Sequence, residues 1–404
     1  MPIYFPDAPV PLPANPFTNN VEYADEALRE TICNAYDLCL ALETHVIWSF
    51  GVEVDPNVEN RPTEKILQKL SPIIAARVLG HALRLAPTAT SRAHLANEIK
   101  DCNGNDRLLA GLVHLYVFSL IGVFRNPKGP TPAISTSQSP RKSFEDKQLS
   151  METILMEFKS KPGRLRDIIM KRDNYHCAFT GAVDDKSAEM GLVQWDLNDP
   201  LSDLQVAHII SQSLTSDISV PGVSGKKLQW ASTAAAMIER FGDLDCKAVL
   251  GEEFLHNPLN AILATHIPHA RFDELRIWFT PAKDQQGNIK PDTYNINTSI
   301  TPDRSAAFGI RDQVTFTSSQ FLVQGSVITI PPPHKRLLEI HAACAQIAHM
   351  SGAAEALDEF TSDTEPFLLT VDSKKMDVNP RGLEELTRAL YNIQPRPLNN
   401  LVSK

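Results

Sequence analysis

The sequence predicts an α+β protein in which short antiparallel strands are flanked by a helical N-terminal domain and a C-terminal helix. Three observations support this prediction. Apolar residues recur at helical spacing in the first third of the chain. After Cys177 the pattern changes to short β-prone runs that are separated by turn residues. Near the C-terminus, His334–Phe360 is again apolar at helical spacing, with an interruption near Ser351 and Gly352.

Changes in composition along the chain predict four parts. Residues 1–126 are expected to form the helical N-terminal domain, and residues 127–148, which are rich in Pro and Ser, a linker. Because such a linker is extended and accessible, limited proteolysis should separate the two halves there. Residues 149–330 are expected to form a second domain with an insertion around residues 211–250, and residues 331–404 a C-terminal helical extension and tail.

In the first domain, helices are expected in the three stretches with the clearest helical spacing: Tyr23–Phe50, Arg61–Leu85 and Asp106–Phe124. The last stretch contains the longest apolar run of the chain, Leu108–Phe124. This run is about one turn too short for a comfortable membrane span, and His114 lies in its interior. We therefore expect a buried core helix here and no contact with a membrane.

In the second domain, β-prone runs predict strands at Leu204–Ile210 and Leu275–Thr280, and edge strands within Ser305–Ile330. The intervening Asn257–Asp273 predicts a strand or loop followed by a short helix. Pro281–Arg304 is polar and rich in turn residues, so no strand is expected in it.

The composition excludes several classes of protein. The chain has 404 residues, of which 43% are hydrophobic and 22% charged, and this excludes collagen, a coiled coil and wholesale disorder. Its six cysteines are widely spread with no C-x-x-C pair, which argues against a secreted disulfide framework. The net charge of −9 predicts no general affinity for a polyanion, so contact with nucleic acid would need a local positive patch.

The N-terminal sequence, MPIYFPDAPVPLPANPF, has no basic region and no apolar core before its prolines. This pattern disfavours a secretory signal. We therefore expect an intracellular protein, in the nucleus or the cytoplasm, that is not secreted.

Three segments contain the side chains that could take part in catalysis. They are CAFTG at Cys177–Gly181, LQVAHII at Leu204–Ile210 and NAILATHIPHARFD at Asn260–Asp273. Together they supply a histidine at the end of a predicted strand, an asparagine that opens the next element, and a second histidine nine residues later on a predicted helix. These side chains suit the hydrolysis of a phosphodiester with one metal ion.

Each of the three side chains has a separate expected task. His208, as a neutral imidazole, can take the proton from an attacking water. The amide oxygen of Asn260 can accept a hydrogen bond from the other ring nitrogen of that histidine and so fix its tautomer. His269 can hold a divalent cation that stabilises charge on the phosphate and the leaving oxygen.

The spacing and the flanking residues resemble those of the HNH endonucleases. In this family C-x-x-T-G is followed by A-H-I-I, by an asparagine segment and by H-x-x-F-D, which places His208, Asn260 and His269 at the three named positions. The resemblance covers about residues 165–280. It implies a ββα-metal finger and an enzyme that cleaves DNA with little sequence preference. The segment from Leu338 to Phe360 resembles the helical extension of fungal HNH-domain proteins of unassigned role.

The chain departs from the family pattern at one metal-binding position. Many HNH enzymes have an Asp or His immediately before the base, whereas this chain has Ala207. Asp273 lies one helical turn after His269 and is the preferred candidate to complete the site, with His266 as the alternative. Carboxylate and water ligands favour magnesium or manganese, so one of these ions is the expected cofactor. No structural zinc is expected, because Cys177 and Cys246 alone cannot supply its four ligands.

A basic segment precedes the predicted finger and is the expected contact with DNA, or alternatively RNA. Its cations can bind phosphates on either side of the cut, which would give salt-sensitive and sequence-tolerant affinity. They are Lys159, Lys161, Arg164, Arg166, Lys171 and Arg172.

Two other functions remain open from the sequence. The finger could be degenerate and act as a nucleic-acid-binding or scaffold module, which the alanine at position 207 motivates. It could also be repurposed for small-molecule chemistry, with the N-terminal helices forming one wall of a pocket. The same helices could form a homodimer, bind a partner or gate the nuclease, and the sequence does not distinguish these roles.

Overall fold

The structure is a computed structural model, and it describes residues 1–18, 25–44, 70–104, 106–125, 165–211, 234, 237–246, 249, 256–323 and 325–357. The predicted linker at 127–148, most of the predicted insertion at 211–250 and the tail beyond residue 357 lie outside the described residues. The described part mixes helices with several small sheets, so the α+β class is confirmed.

The N-terminal half contains one short strand followed by helices. The elements are β1 (Ile3–Tyr4), α1 (Glu26–Thr44), α2 (Pro72–Leu85), α3 (Ala89–Asp101) and α4 (Asp106–His114), the last continuing as a π-helix over Leu115–Ile121 and a final turn over Gly122–Phe124.

Local sequence explains where two of these helices begin. The hydroxyl of Ser71 accepts a hydrogen bond from the Ile74 N–H (3.3 Å), and Pro72 supplies a first residue that needs no N–H partner. The hydroxyl of Thr88 accepts from the Ser91 N–H (3.0 Å) in the same way and begins α3, a helix that the apolar spacing of the sequence does not predict.

The prediction of a buried core helix at Leu108–Phe124 is confirmed. Leu109, Val117 and Leu120 have no exposed surface there. Among the described residues, no helix combines the length and the apolar character that crossing a membrane requires.

The second half alternates short helices and strands. In chain order the elements are α5 (Leu165–Arg172), β2 (Val183–Asp184), α6 (Asp185–Glu189), β3 (Leu201–Ser202), β4 (Leu204–His208), a 3-10 turn (Pro258–Asn260), β5 (Ala261–Thr265), α7 (His266–Asp273), β6 (Ile277–Lys283), β7 (Ile289–Thr298), α8 (Pro302–Ala307), β8 (Gln313–Thr315), β9 (Ser319–Val323), β10 (Ser326–Ile330) and α9 (Lys335–Ser351).

Strand β7 is central to the largest sheet. It pairs antiparallel with β6 on one side, while β8 (antiparallel) and the N-terminal strand β1 (parallel) pair with it in addition. The expectation that Pro281–Arg304 contains no strand is therefore wrong. The polar residues of this stretch suggested a loop, but the sheet provides their hydrogen-bond partners. The buried Asn297, for example, donates from Nδ2 to Thr280 Oγ1 at 2.8 Å and to the Asn295 carbonyl at 3.1 Å.

Helix α9 joins the two halves of the chain through a common core. It packs against α2 on one side and β6 on the other, and its residues Leu337, Ile340 and Ile347 are fully buried. It ends at Gly352, whose φ of 85° is left-handed. This helix end lies where the sequence predicted an interruption. The described helices before residue 126 share this core with α9, and the predicted separation of the two halves by proteolysis stays a prediction.

The N-terminal arm is fastened to the end of α9 by polar contacts. Asp7 Oδ1 lies 2.6 Å from Nδ1 of the buried His349, whose Nε2 lies 2.9 Å from the Leu275 carbonyl oxygen. The hydrogen bond to His349 holds the pKa of Asp7 below its usual range. The Val10 N–H donates to the Met350 carbonyl at 2.8 Å and continues the attachment.

Arg172, at the C-terminal end of α5, is a buried structural residue. Nε and Nη2 form a two-pronged pair with the Asp173 carboxylate at 2.6 and 2.9 Å. Nη1 donates to the Pro258 carbonyl at 2.8 Å and to the Pro331 carbonyl at 3.4 Å, and Nη2 also donates to the Ala261 carbonyl at 2.8 Å. All five N–H groups of the guanidinium are thus engaged.

This burial corrects the assignment of Arg172 to nucleic-acid binding. Its side chain has no exposed surface, and contact with a phosphate would break the bonds that tie α5 to the turn before β5. The sequence placed it in a basic segment, but charge density along a sequence does not reveal which cation turns inward.

We expect Arg172→Ala to lower the free energy of unfolding by about 3–5 kcal/mol, because it leaves a carboxylate and three carbonyls without their donor. Lys171→Ala is the matched control: this ammonium lies 5.2 Å from the centre of the Phe321 ring, and its loss should cost about 1 kcal/mol or less. Urea unfolding followed by circular dichroism measures both. Equal losses for the two variants would contradict the structural role of Arg172.

Candidate active site

His208 ends strand β4, which pairs antiparallel with β5 so that His208 lies opposite Ala261. The strand buries Leu204 and Ala207, while His208 itself is partly exposed. Successive side chains of a strand point to opposite faces, so His208 and the fully buried Ala207 lie on opposite sides of the β4–β5 pair, and Leu204 lies on the same side as His208. The two isoleucines that follow are buried and anchor the end of the strand.

The surroundings of His208 keep its imidazole neutral. Burial lowers the pKa of His208 to about 3, and the neighbouring His256 and His269 lower it further because a positive charge on either ring opposes a second one. A neutral imidazole ring has a lone pair on one of its nitrogens at pH 7. This is the state that a general base requires.

Asn260 is fully buried and holds the chain that follows β4. Its Oδ1 accepts from the Ile210 N–H at 2.8 Å, and its Nδ2 donates to the Ile210 carbonyl at 3.1 Å. The Asn260 carbonyl also accepts from the Ile209 N–H at 2.9 Å. Asn260 thereby fixes the backbone next to His208, a role that the sequence did not reveal. Its amide oxygen has a second lone pair, and the expected bond to the His208 ring stays a prediction.

Helix α7 follows β5 directly and presents the predicted metal-binding pair. Pro268 and Phe272 are buried and set the orientation of the helix. His269 and Asp273 lie one turn apart on its more open face, with His269 Nε2 3.5 Å from Asp273 Oδ2. The structure thus brings together the two side chains that helical spacing predicted to meet.

Gln205 on β4 determines which nitrogen of His269 is available. Gln205 Oε1 lies 3.1 Å from His269 Nδ1, so this nitrogen is the donor and Nε2 of a neutral ring has a lone pair. Burial lowers the pKa of His269 to about 4, which keeps the ring neutral at pH 7. The lone pair of Nε2 then faces the carboxylate oxygen of Asp273, and a cation between them would relieve the repulsion.

These two atoms fit a divalent cation. Ligand atoms bound to one ion at about 2.1 Å lie about 3–3.5 Å from each other, and the observed separation is 3.5 Å. In the described part of the chain, no group of three or more His, Cys, Asp or Glu side chains is placed to hold a metal ion. Among the described residues, His269 and Asp273 are the pair whose ligand atoms have this separation.

The CAFTG segment is a turn that supports β5. The Ala178 N–H donates to the Leu263 carbonyl at 2.9 Å, and the Thr265 N–H donates to Cys177 Sγ at 3.3 Å. Arg311 Nη2 donates to the Cys177 carbonyl at 2.8 Å. Gly181 has a left-handed φ of 76°, and a Cβ at this position would lie 3.1 Å from the Arg311 guanidinium. The segment is structural, and it holds the strand that leads into α7.

The predicted basic segment is only partly within the described residues. Lys159, Lys161 and Arg164 lie outside them. The Arg166 side chain is 51% exposed, and its Nη2 donates to the Leu204 carbonyl at 3.2 Å. Lys171 lies over the ring of Phe321. Arg166 is the member of this segment that the structure presents most clearly to solvent.

His256 is a neighbour of the site that lies outside the three sequence motifs. Its ring stands edge-on to that of His208, with the ring centres 6.0 Å apart and the planes at 87°. The signal available in the sequence was its position four residues before Asn260. The antiparallel pairing that brings the start of β5 to the end of β4 explains the proximity.

Comparison of the chain with protein-family models, with curated proteins and with solved structures gives no match.

The lowered pKa values predict that stability decreases in mild acid. The unfolded chain protonates its histidines near pH 6.5, whereas folded His269 resists protonation until about pH 4. As the pH falls below 6.5 the unfolded state binds more protons, so the free energy of unfolding decreases; above 6.5 this ring has no effect. At pH 5 the loss from His269 amounts to about 2 kcal/mol at most.

Urea unfolding at pH 7 and pH 5 tests this dependence. His269→Gln has no titrating ring at this position and should lose less stability between the two pH values than the wild type. The same loss in both proteins would show that His269 is not kept neutral by the fold.

Proposed function

We propose that the protein is a metal-dependent endonuclease of the HNH type that hydrolyses DNA phosphodiester bonds with low sequence preference. The observation that carries this proposal is the arrangement of β4, β5 and α7. Two antiparallel strands and a helix bring a neutral histidine at a strand end, a buried asparagine and a His–Asp pair to one place. This arrangement supports the ββα-metal finger that the sequence resemblance implies.

In the proposed reaction His208 is the general base. Its ring nitrogen takes a proton from a water molecule while the water oxygen forms a bond to phosphorus. The bond from phosphorus to the leaving oxygen breaks, and that oxygen takes a proton from solvent. Burial keeps the ring unprotonated at neutral pH, so its lone pair can accept the proton, while the pKa of about 3 makes it a weak base.

His269 and Asp273 would hold the divalent ion, magnesium or manganese. When bound, such an ion would stabilise negative charge on the phosphate and on the leaving oxygen. Gln205 acts through His269: by accepting from Nδ1 it directs Nε2 towards the carboxylate. Asn260 acts through the backbone at Ile210 and keeps the end of β4 in place.

Binding of DNA would depend on a local positive surface, since the net charge is −9. Arg166 is the exposed cation that the described part of the basic segment offers. Its Nη2 donates to the Leu204 carbonyl at the start of β4 and lies 3.6 Å from Oδ1 of the buried Asp184, so a phosphate would share this cation with a carboxylate. Contacts of this kind reach only the phosphates and carry no sequence information. This agrees with low sequence preference.

A degenerate finger that binds nucleic acid without cleaving it is the second candidate. The observation that favours it is the buried Ala207, which leaves His269 and Asp273 as the proposed pair of protein ligands among the described residues. Metal affinity and nicking distinguish this candidate from the enzyme.

The nuclease predicts metal-dependent nicking of supercoiled plasmid by purified protein. We expect nicking with manganese or magnesium and none with EDTA. His208→Ala should reduce the rate about 100-fold or more, because the base is lost. His94→Ala, a histidine on α3 outside the site, should retain the wild-type rate. Equal nicking by the wild type and His208→Ala would point to a contaminating nuclease and contradict the proposal.

The metal pair predicts a specific loss of manganese affinity. Asp273→Asn keeps the size of the side chain but removes its charge, and it should raise the Kd for manganese at least about tenfold. Isothermal titration calorimetry of metal-free protein measures the change. Asp196→Asn, at an exposed carboxylate in the turn before β3, is the control. If the two variants bind manganese equally well, Asp273 is not a ligand.

A further inference from the structure

His256 is held beside His208 by a rigid turn. The next residue, Asn257, accepts a hydrogen bond from the Leu259 N–H through its side chain and from the Asn260 N–H through its carbonyl, both at 2.9 Å. The Pro258 carbonyl accepts from the buried guanidinium of Arg172 at 2.8 Å. The backbone next to His256 is therefore held by the same contacts that position Asn260 and the start of β5.

The two neighbouring histidines differ in their environment. His256 is exposed, whereas His208 is partly covered. Within the described part of the chain, neither ring nitrogen of His256 has a hydrogen-bond partner, and the ring of His208 is its contact. His256 thus lies on the solvent side of the proposed base, with N–H donor capacity that the fold does not use.

A phosphodiester that approaches His208 from the side on which His256 is exposed would pass close to the His256 ring. Its phosphorus would have to be close to the water that His208 activates, and its two non-bridging oxygens carry the negative charge. An imidazole N–H that is exposed before binding loses few contacts when it donates to such an oxygen, and a hydrogen bond to a charged acceptor is stronger than one to a neutral acceptor. His256 has the right chemistry and the right position for this contact.

We infer that His256 is a substrate-binding residue that donates a hydrogen bond from its ring to a non-bridging oxygen of the scissile phosphodiester. This inference rests on the proposed nuclease function and adds a contact that recognises the phosphate without reading the bases. His256 takes no proton from the attacking water and forms no bond to phosphorus. His208 retains that task, and the pair divides phosphate binding from base catalysis.

The test measures binding and cleavage separately. Binding of a fluorescent DNA duplex is measured by anisotropy in EDTA, where no cleavage occurs, and nicking of plasmid is measured with manganese. His256→Ala should raise the Kd for the duplex about three- to tenfold. His256→Gln retains a side-chain N–H and should stay within about twofold of the wild type. His94→Ala is the control for loss of a histidine elsewhere, and thermal unfolding verifies that each variant is folded.

The outcomes separate this inference from the nuclease proposal. If His256→Ala weakens binding and His256→Gln restores it, the contact is supported even if no protein nicks plasmid, and only the nuclease proposal then fails. If the wild type nicks plasmid and His256→Ala binds the duplex and nicks as well as the wild type does, the contact is refuted and the nuclease stands. If the wild type neither binds the duplex nor nicks plasmid, both are refuted.

Discussion

The buried guanidinium of Arg172 is the interaction on which the candidate site depends. A charge in the protein interior is tolerated only when it is paired and its hydrogen bonds are satisfied, and Asp173 together with three carbonyls meets this requirement. Two of those carbonyls belong to Pro258 and Ala261, which flank Asn260 in the chain. The turn that places the asparagine and begins β5 is thereby tied to α5, and the third carbonyl, from Pro331, ties it to the segment that leads into α9.

Next to Arg172, two polar side chains of the site hold the backbone after β4 and the ring of His269 in place. Asn260 holds the chain after β4, and Gln205 sets the tautomer of His269. Burial then adjusts the electrostatics, because removing the two imidazoles from water disfavours their charged forms. The consequence is a pair of neutral rings within one small strand–strand–helix unit, His208 proposed as the base and His269 proposed as a metal ligand.

The helical half of the chain contributes through packing. Helix α9 is covered by α2 on one side and contacts β6 on the other, so the sheet that follows α7 is supported by helices from both ends of the sequence. The stacked rings of Phe272 and His341, 3.9 Å apart, join α7 to α9 directly. In the described part of the chain, the N-terminal helices and the helix that carries His269 and Asp273 thus share one hydrophobic core.

The sequence by itself determined the positions of the helices and strands that have clear periodicity, and the buried character of Leu108–Phe124. It also determined the end of α9 at Gly352 and the meeting of His269 with Asp273. These features depend on residues within one or two turns of each other. The sequence did not reveal strand β7, whose polar residues are satisfied only by neighbouring strands, nor the burial of Arg172, whose partners Pro258, Ala261 and Pro331 are up to 159 residues away. The partners of Asn260 and the proximity of His256 to His208 also depended on long-range pairing of β4 with β5. Local patterns report which face of an element is apolar, whereas the choice of partner for a polar group is made only when distant segments pack together.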